Sequence, residues 1–431
     1  MRLLYIKLNT EPSHSLHISF CEFFGSDIPP YAILSHRWRE DEVLYDDMVA
    51  TDRSIAHSKN DYAKLEMTCR LALENGLHYV WSDTCCIDKS SSAELSEAIN
   101  SMYSYYTNSA WCIAYLDDVF FDQQWPEVSL QASQIFPRAV WFTRGWTLQE
   151  LIAPCNLTFF AKSWNKIGTK ADLSHQISVV SNIAVKILED RELLSTIGVS
   201  EKMSWAATRV TMRPEDEAYS LMGLFGVNMA TLYGEGRSNA FRRLQLEIMR
   251  ITTDHTLFAW EAKTTNGDML APNVSCFSNG AFYEPCDYPP GRISDLDLMP
   301  NYDMTNAGLH IQLPMSTVPG YETLYFAFLA CRHKLVSESF VTMFITRQGG
   351  SLSFPRFSRE AFNGETLRIP RHDHFSLVKY RPIWISGANR VREEPTESTR
   401  DVDLWFPTPK LLVDNLVHAG RPLYFVLGVL E

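Results

Sequence analysis

A glutamate follows a tryptophan by four positions in the segment Arg144-Gly-Trp-Thr-Leu-Gln-Glu150. If this segment is helical, Trp146 and Glu150 share one face, because residues four apart are neighbours on a helix surface. An apolar wall beside a carboxyl group raises its pKa or orients it. Such a carboxylate can stabilise the oxocarbenium-like state through which an N-glycosidic bond breaks. The alternative is a surface glutamate that pairs with Arg144 or Lys162.

A second group of chemically useful side chains is Ser35-His36-Arg37-Trp38, which follows a short apolar run. Arg37 has the forked donors that bind a pyrophosphate, and Trp38 offers a ring on which a base or a nicotinamide can stack. His36 titrates near neutral pH and suits proton transfer. The alternative is a turn at a strand end, with Trp38 in the core and Arg37 paired with an acidic neighbour. Burial in the core is the more common fate of a residue such as Trp38.

Asp83 comes after Leu77-His-Tyr-Val-Trp81, a run that is typical of a buried strand. We interpret Asp83 mainly as an organiser of the cleft, because aspartates in such positions commonly fix a loop through backbone N–H groups. Two other interpretations stay open. Asp83 can orient a ribose hydroxyl, or it can hold a metal together with Asp88, Asp117 or Asp118.

Four short apolar runs predict β-strands, and helical periodicity lies between them. The runs are Tyr31–Ser35, Leu77–Trp81, Trp111–Leu116 and Asn156–Phe160. Helices are predicted from Asp61 to a stop at Asn75-Gly76, from the capping box Ser91-x-x-Glu94, and over Arg144–Leu151. This alternation predicts an α/β fold with a parallel sheet flanked by helices. Ligands of such sheets bind beyond the carboxyl ends of the strands, so Ser35-His36, Asp83 and Asp117 are expected to border one cleft.

The chain changes character after this first segment. Residues 1–165 are predicted to form the α/β domain, residues 166–262 a helical extension, and residues 263–431 a β-rich domain. In the last segment, short β-type runs separated by Gly, Pro and Asn predict a β-sandwich or a barrel-like fold. These runs are Leu309–Leu313, Thr323–Leu329, Phe340–Thr346, Leu377–Tyr380 and Leu423–Val429.

The composition is that of a soluble globular protein and excludes some classes of function. The net charge of -12 argues against a nucleic-acid surface, which needs clustered Lys and Arg. The nine cysteines are odd in number and include no C-x-x-C pair, which favours a reducing compartment and a cytoplasmic location. No apolar stretch of about 18 residues occurs, and Lys7 breaks the N-terminal run. Neither a transmembrane helix nor a signal peptide is expected.

Three motifs, in a fixed order, resemble the heterokaryon-incompatibility domain of fungal cell-death proteins over about residues 28–160. The motifs are Tyr31–Trp38, Trp81–Lys89 and Arg144–Leu151. Downstream, Arg213–Gly223 and Leu232–Arg237 are similar to the region that commonly follows this domain. One departure is Arg39, where the family often has a glycine that permits backbone angles unfavourable to arginine.

The resemblance implies a role in programmed cell death after recognition of non-self, a form of innate immunity. The family's domain is distantly similar to TIR domains, in which a short helix carries Trp-x-x-x-Glu, the spacing of Trp146 and Glu150 here. In enzymatic TIR domains this glutamate supports cleavage of the nicotinamide–ribose bond of NAD. The similarity therefore implies an NAD(P) glycohydrolase with Glu150 as its catalytic residue. The expected substrate-binding residues are Ser35, His36, Arg37, Trp38, Asp83 and Trp146.

This hypothesis needs no cofactor and no metal. It takes NAD or a related dinucleotide as its substrate, and it includes self-association that completes the site. The alternative is a non-enzymatic signalling module that recruits death partners through the same sheet and helices. A weaker third hypothesis is a metal-dependent phosphohydrolase that uses Asp83, Asp88, Asp117 and Asp118. The C-terminal region is expected to bind a protein partner or to regulate the first domain, and no nucleic-acid partner is expected.

Overall fold

The computed structural model describes residues 1–8, 16–25, 27–121, 128–262, 268–287, 302–306, 308–317, 323–335, 339–350, 355–359, 367–370 and 379–385. The predicted β-run Leu423–Val429 lies outside these residues. The chain divides into two compact units, of which the first combines Met1–Thr196 with Thr208–Leu244 and the second combines Ile197–Ala207 with Gln245–Glu431. The division into three domains at residues 165 and 262 stays a prediction.

Within the described residues, the first unit is built around a sheet of seven strands. They are β1 (Arg2–Leu8), β2 (Leu16–Glu22), β3 (Ala32–His36), β4 (Tyr79–Trp81), β5 (Trp111–Leu116), β6 (Leu157–Ala161) and β7 (Lys166–Thr169). Their order is β2-β1-β4-β3-β5-β6-β7, with parallel pairing from β4 to β6 and antiparallel pairing at both edges. All four predicted strands are present, and the predicted α/β class is confirmed.

The order of the parallel strands creates a crevice at one place in the sheet. From β3 the chain passes to β4 on one side, and it then crosses to β5 on the other side of β3. Helices consequently leave the carboxyl ends of β3 and β5 in opposite directions. Ligands of doubly wound sheets bind at such a switch point. Here it lies beside Ser35 and His36, at the end of β3, and Asp117, directly after β5.

The α-helices of the chain are mostly short. They are α1 (Tyr45–Val49), α2 (Ser54–Ser58), α3 (Tyr62–Glu74), α4 (Ser92–Thr107), α5 (Val128–Ile135), α6 (Thr147–Ile152), α7 (Ser174–Ser181), α8 (Val185–Glu189), α9 (Val199–Ser204), α10 (Asp216–Tyr219), α11 (Met222–Phe225) and α12 (Arg237–Met249). Six 3-10 segments are described, at Phe136–Arg138, Val140–Thr143, Arg191–Thr196, His255–Phe258, Val274–Phe277 and Gly280–Phe282. None of the described helices has the length and apolar character needed to cross a bilayer.

The two long helices that flank β4 follow their sequence signals closely. α3 ends where predicted, with Gly76 at a φ of 75° in the left-handed region. At the start of α4, Ser91 Oγ accepts a hydrogen bond from the Glu94 backbone N–H, as a capping box requires. The Glu94 carboxylate, however, accepts from the Asp88 N–H at 2.8 Å and from Arg2 at 2.7 Å. Glu94 thus fixes the loop between β4 and α4 to strand β1.

In the second unit, the described residues form a β-sheet that closes on itself. Its strands are β9 (Tyr302–Thr305), β10 (Gly308–Thr317), β11 (Leu324–Phe328), β13 (Ser339–Gly350), β14 (Pro355–Arg359), β15 (Leu367–Pro370) and β16 (Lys379–Ile385), beside a small sheet of β8 (Tyr283–Pro285) and β12 (Cys331–His333). The pairings β11-β10-β16-β14-β13 return from β13 to β11, which makes a closed ring of strands. Of the two folds predicted for this β-rich segment, the pairing corresponds to the barrel.

The second unit also contains a helix from the middle of the chain. The loop Ile197–Ala207, which includes α9, belongs to this unit although the residues on either side belong to the first. Glu201 of α9 accepts a hydrogen bond from Lys334 Nζ at 2.6 Å, and Val199 N–H donates to Asp254 at 2.7 Å. A side chain at Gly280 would collide with the backbone oxygen of Ser200. These contacts fix α9 to residues that follow position 245.

Gly223 allows helix α11 to pack directly against α4. A Cβ atom at this position would collide with the Cβ of Tyr103, which α4 holds in place. We expect Gly223→Ala to lower the free energy of unfolding by about 2 kcal/mol, because overpacking forces backbone shifts. Denaturant unfolding measures this, with Ser104→Ala, an exposed position of α4 next to Tyr103, as the control. Equal midpoints for Gly223→Ala and the wild type would contradict the close approach of α11 to α4.

Candidate active site

The centre of the candidate site is a buried hydrogen bond between Ser35 and Glu150. Ser35, near the end of β3, is fully buried, and Glu150 of α6 is 7% exposed. Ser35 Oγ donates to Glu150 Oε2 at 2.5 Å, and the Ser35 hydroxyl accepts from Trp141 Nε1 at 2.9 Å. The interpretation of Glu150 as a surface residue is therefore wrong. The structure brings together a carboxyl group, a hydroxyl and an indole at the switch point.

Burial changes the acidity of Glu150. Loss of solvent raises its pKa from 4.5 to about 8, the hydrogen bond from Ser35 opposes this shift, and the negative charge of Asp83 adds to it. Tyr106 of α4, which donates its hydroxyl hydrogen to the Leu34 carbonyl at 3.2 Å, also opposes the rise in the pKa of Glu150. Glu150 is therefore mainly a neutral carboxylic acid at pH 7 and can donate a proton.

Two cations, buried Lys170 and half-buried Arg209, hold the helix that carries Glu150. Arg209 donates from Nη1 to the Arg144 carbonyl at 2.9 Å and to Thr147 Oγ1 at 3.1 Å, at the start of α6. Lys170 Nζ donates to the carbonyls of Pro154 at 2.5 Å and Leu151 at 3.2 Å, at the end of α6. Burial lowers the pKa of Arg209 to about 10 and that of Lys170 to about 8. Sequence reasoning missed both residues, which lie far from the motifs.

Trp146 is not the tryptophan that contacts the Ser35–Glu150 pair. It is the residue before the first turn of α6, and its side chain hydrogen-bonds the carboxylate of Asp216. Trp141, from the 3-10 segment Val140–Thr143, is the tryptophan that contacts Ser35. The indole next to the Ser35–Glu150 pair thus comes from five residues earlier in the chain than predicted. The spacing Trp-x-x-x-Glu locates the helix correctly but not the aromatic neighbour of the carboxyl group.

His36 lies on the other face of the sheet, because successive side chains of a strand point to opposite sides. Its Nε2 is 3.5 Å from Glu42 Oε2 and 4.0 Å from Asp83 Oδ1. Both ring nitrogens and Asp83 Oδ1 are buried without a hydrogen-bond partner among the described residues. Burial opposes ionisation of Glu42, but His36 and Lys64 together lower its pKa to about 2. A ligand hydroxyl group placed next to His36 Nε2 and Asp83 Oδ1 would give both atoms a hydrogen-bond partner.

Asp83 connects the two faces. Its Oδ2 accepts from Trp38 Nε1 at 2.7 Å, and its charge acts on both His36 and Glu150. Trp38 is 36% exposed, so the expectation that it lies in the core is wrong. The ammonium group of Lys89 lies 3.7 Å from the centre of the Trp38 ring and covers one of its faces. Trp38 therefore forms the rim of the site, with Asp83 and Lys89 holding its orientation.

Arg37 is paired with an acidic neighbour, as one alternative predicted. It donates to both carboxylate oxygens of Asp117, at 3.1 and 2.6 Å, and Arg39 adds a contact of 3.1 Å. Arg39 does not use the left-handed backbone region, because Trp164 and Asn182 are the non-glycine residues described there. The remaining proposed metal ligands have separate partners, since Asp118 accepts from Val140 N–H and Asp88 from Ser90. No metal-binding group of three His, Cys, Asp or Glu occurs in the described part of the chain.

Comparison with known proteins agrees with the predicted resemblance. The family model described as heterokaryon incompatibility protein matches residues 31–127. The chain carries a heterokaryon incompatibility domain. The matched segment contains Ser35, His36 and Asp83, whereas Glu150 follows it. A second family, described as a domain of unknown function, matches residues 239–286.

A curated relative extends the similarity beyond this domain. The chain is 44% identical over 223 residues to vegetative incompatibility protein HET-E-1 of Podospora anserina. The match covers 51% of this chain but 16% of that protein, so most of the relative has no counterpart in the match. No solved structure matches the chain.

The raised pKa of Glu150 predicts a pH-dependent stability. The folded-state pKa of about 8 exceeds the ordinary value of 4.5, so the folded protein keeps a proton that the unfolded chain releases. This stabilisation is complete below about pH 4.5 and is lost as the pH rises towards 8. Glu150→Gln removes the titration. We expect the wild type to lose about 3 kcal/mol more than Glu150→Gln between pH 5 and pH 8, measured by urea unfolding. Parallel pH profiles for the two proteins would contradict the buried neutral acid.

Proposed function

We propose that the chain acts in heterokaryon incompatibility as a cytoplasmic effector of programmed cell death, and that it does so by hydrolysing NAD, and also NADP, at the nicotinamide–ribose bond. The heterokaryon incompatibility domain and the name of the relative support the biological process. The observation that supports the chemistry is the buried Ser35–Glu150 pair at the switch point of the sheet. The spacing of Trp146 and Glu150, which resembles that of TIR domains, is the basis for this choice of chemistry, and Glu150 lies on the short helix α6.

The proposed reaction uses Glu150 beside the ribose. The bond between C1′ and the nicotinamide nitrogen breaks, its electron pair leaves with the nicotinamide, and water adds to C1′ and loses a proton. The positive nicotinamide ring lowers the pKa of an adjacent carboxyl group, so substrate binding favours the ionised form of Glu150. The carboxylate then stabilises the oxocarbenium-like ribose, and Ser35 keeps it in place.

Other residues of the site have roles that agree with their contacts. Asp83 and His36 present buried polar atoms that can bind ribose hydroxyls. Trp38 offers an exposed ring face for stacking against a planar base. Arg37 is hydrogen-bonded to Asp117, so in this proposal it orders the loop after β3 and does not bind a phosphate. Because Glu150 is 7% exposed, the proposal includes a rearrangement on self-association that opens the crevice.

The first test measures nicotinamide release from NAD by the purified protein at high concentration. We expect Glu150→Gln to reduce the rate at least about 100-fold, because the group that stabilises the transition state loses its charge. Ser35→Ala should reduce it about tenfold, since the carboxyl group remains but its orientation is lost. Glu74→Gln, an exposed charge removed elsewhere in the first unit, is the matched control and should retain full activity.

Two results would count against this assignment. Nicotinamide release that persists in Glu150→Gln would mean that another residue carries the chemistry. No release from a folded, self-associated wild-type sample would remove the enzymatic proposal as a whole. The same chromatogram should contain ADP-ribose in equal amount, which identifies hydrolysis rather than transfer to another acceptor.

A second candidate function is a non-enzymatic module that recruits death partners. The observation in its favour is that the Glu150 carboxyl group is bonded to Ser35 and closed off from solvent. In this case Glu150 is a structural residue of the fold. Recruitment would then depend on surfaces of the sheet and helices, and the C-terminal region would bind a protein partner.

Cell death on expression in a fungal host separates the two candidates. Glu150→Gln keeps the shape of the neutral acid and its hydrogen bond to Ser35, so the fold and any docking surface should persist. If hydrolysis causes death, Glu150→Gln cells should survive at least about tenfold better than wild-type cells, at equal protein level and with intact NAD. Equal killing by both proteins would instead favour the recruitment module.

A further inference from the structure

A pocket of about 240 Å³ lies in the first unit, apart from the candidate active site. Strand β1, helix α4 and the loop between β4 and α4 form its walls. The residues that matter for its chemistry are Arg2, Glu22, Trp81, Glu94, Glu97 and Tyr105. None of Ser35, His36, Asp83 and Glu150 lines it. The pocket is large enough for a group of several heavy atoms.

Arg2 forms part of the wall, but its guanidinium group is already saturated. Nε and Nη2 bond Glu22 at 3.1 and 3.0 Å, and both Nη1 and Nη2 bond Glu94, at 2.7 and 3.3 Å. Nη1 also donates to the Cys86 carbonyl at 3.3 Å, and the Tyr45 ring centre lies 4.3 Å from the guanidinium carbon. Four of these contacts are hydrogen bonds and the Nη2–Glu22 contact is an ion pair, so all three guanidinium nitrogens are engaged. An anionic ligand could bind Arg2 only by displacing a carboxylate.

The pocket has a surplus of negative charge. Glu22, Glu94 and Glu97 line it, against Arg2 and the amino group of Met1, which donates to the Phe23 carbonyl at 2.7 Å. Glu97 forms no ion pair within the described part of the chain, and the Glu22 side chain is 54% exposed. Both carboxylates therefore keep acceptor capacity on the solvent side.

Aromatic side chains complete the lining. Trp81 is 1% exposed and lies with its ring centre 5.5 Å from that of Tyr105, so half-buried Tyr105 and Phe24, which is 77% exposed, are the aromatic side chains open to a ligand. Aromatic faces attract cations through the ring quadrupole, and they also pack against the methylene groups next to a charged end. Carboxylates beside aromatic rings are the combination that binds guanidinium and ammonium groups.

We propose that this pocket binds a guanidinium or ammonium group carried on a short apolar stem. The group can belong to a small free amine or to an Arg or Lys side chain of a protein partner. Cys86 and Ile87, which also line the pocket, belong to the loop that carries Asp83 and Lys89. The occupant therefore contacts the segment that shapes the candidate active site. The proposal does not depend on NAD hydrolysis.

The test is calorimetric titration of the full chain with Nα-acetyl-arginine methylamide and with the citrulline analogue, which has the same shape without the charge. We expect the arginine compound to bind at least about tenfold more tightly than the citrulline compound. Glu97→Gln should weaken arginine binding about fivefold. The control Glu74→Gln removes one exposed charge from α3 and should leave the affinity unchanged.

A second variant tests whether the ligand binds in this pocket, and it does so without removing a charge. Ala93 is exposed on the first turn of α4 and lines the pocket, so Ala93→Phe should fill it and abolish binding while the protein stays folded. Agmatine and the pentapeptide Gly-Gly-Arg-Gly-Gly distinguish the two sources, since the tighter ligand identifies a free amine or a protein side chain. Equal affinities for the arginine and citrulline compounds, equal effects of Glu97→Gln and Glu74→Gln, or binding retained by Ala93→Phe would overturn the proposal.

Discussion

Burial of the Glu150 carboxyl group constrains the whole arrangement at the ends of the parallel strands. An ionised carboxylate is destabilised strongly when it leaves water, and it persists inside a protein only when it is paired or protonated. Here protonation dominates, with the pKa raised to about 8, and Ser35 provides a hydrogen-bond partner. Trp141 in turn bonds the Ser35 hydroxyl, which fixes its direction. The strand, the 3-10 segment and α6 therefore meet at one small polar contact.

That contact needs α6 to start and end at defined places. Arg209 and Lys170 bond backbone carbonyls at its two ends, and burial lowers the pKa of both cations. A helix of this length would be marginal by itself, because the costly first turn is repaid by few hydrogen bonds. Lys170 donates hydrogen bonds to carbonyls left free at the end of α6. Arg209 fixes the entry to the helix through the Arg144 carbonyl and the Thr147 hydroxyl. Arg209 also lowers the electrostatic barrier to ionising Glu150, because a positive charge favours the carboxylate.

Much of the first unit was predictable, because its signals are local. Continuous apolar runs mark β3 to β6, and Asn75-Gly76 and Ser91 mark helix ends, so the parallel order and the position of the crevice follow from general rules. Strands β1 and β2 were not predicted. They pair antiparallel at the edge of the sheet, where polar residues such as Arg2 and Lys7 interrupt the apolar pattern. Their presence depends on partners that sequence periodicity does not reveal.

The candidate site was predictable in its residues but not in its contacts. Ser35, His36, Asp83 and Glu150 do gather near the strand ends, yet the alternation of side chains along β3 places Ser35 and His36 on opposite faces. The Trp-x-x-x-Glu spacing predicted Trp146 as the tryptophan beside Glu150, and no pattern pointed to Trp141. Instead, the 3-10 segment before α6 brings Trp141 into contact with Ser35. Such short irregular segments carry no periodic signal.

Chain connectivity adds a constraint that neither unit shows alone. Residues 197–207 leave the first unit, contribute α9 to the second, and the chain returns at Thr208, next to Arg209. Arg209 bonds the start of α6, which carries Glu150. Within the second unit, α9 is held by Asp254 and Lys334. α9 is therefore ordered by contacts that lie within the second unit. A cut near residue 260 would free α9 from Lys334 while keeping Asp254, and its effect on activity would test the expected regulatory role of the C-terminal region.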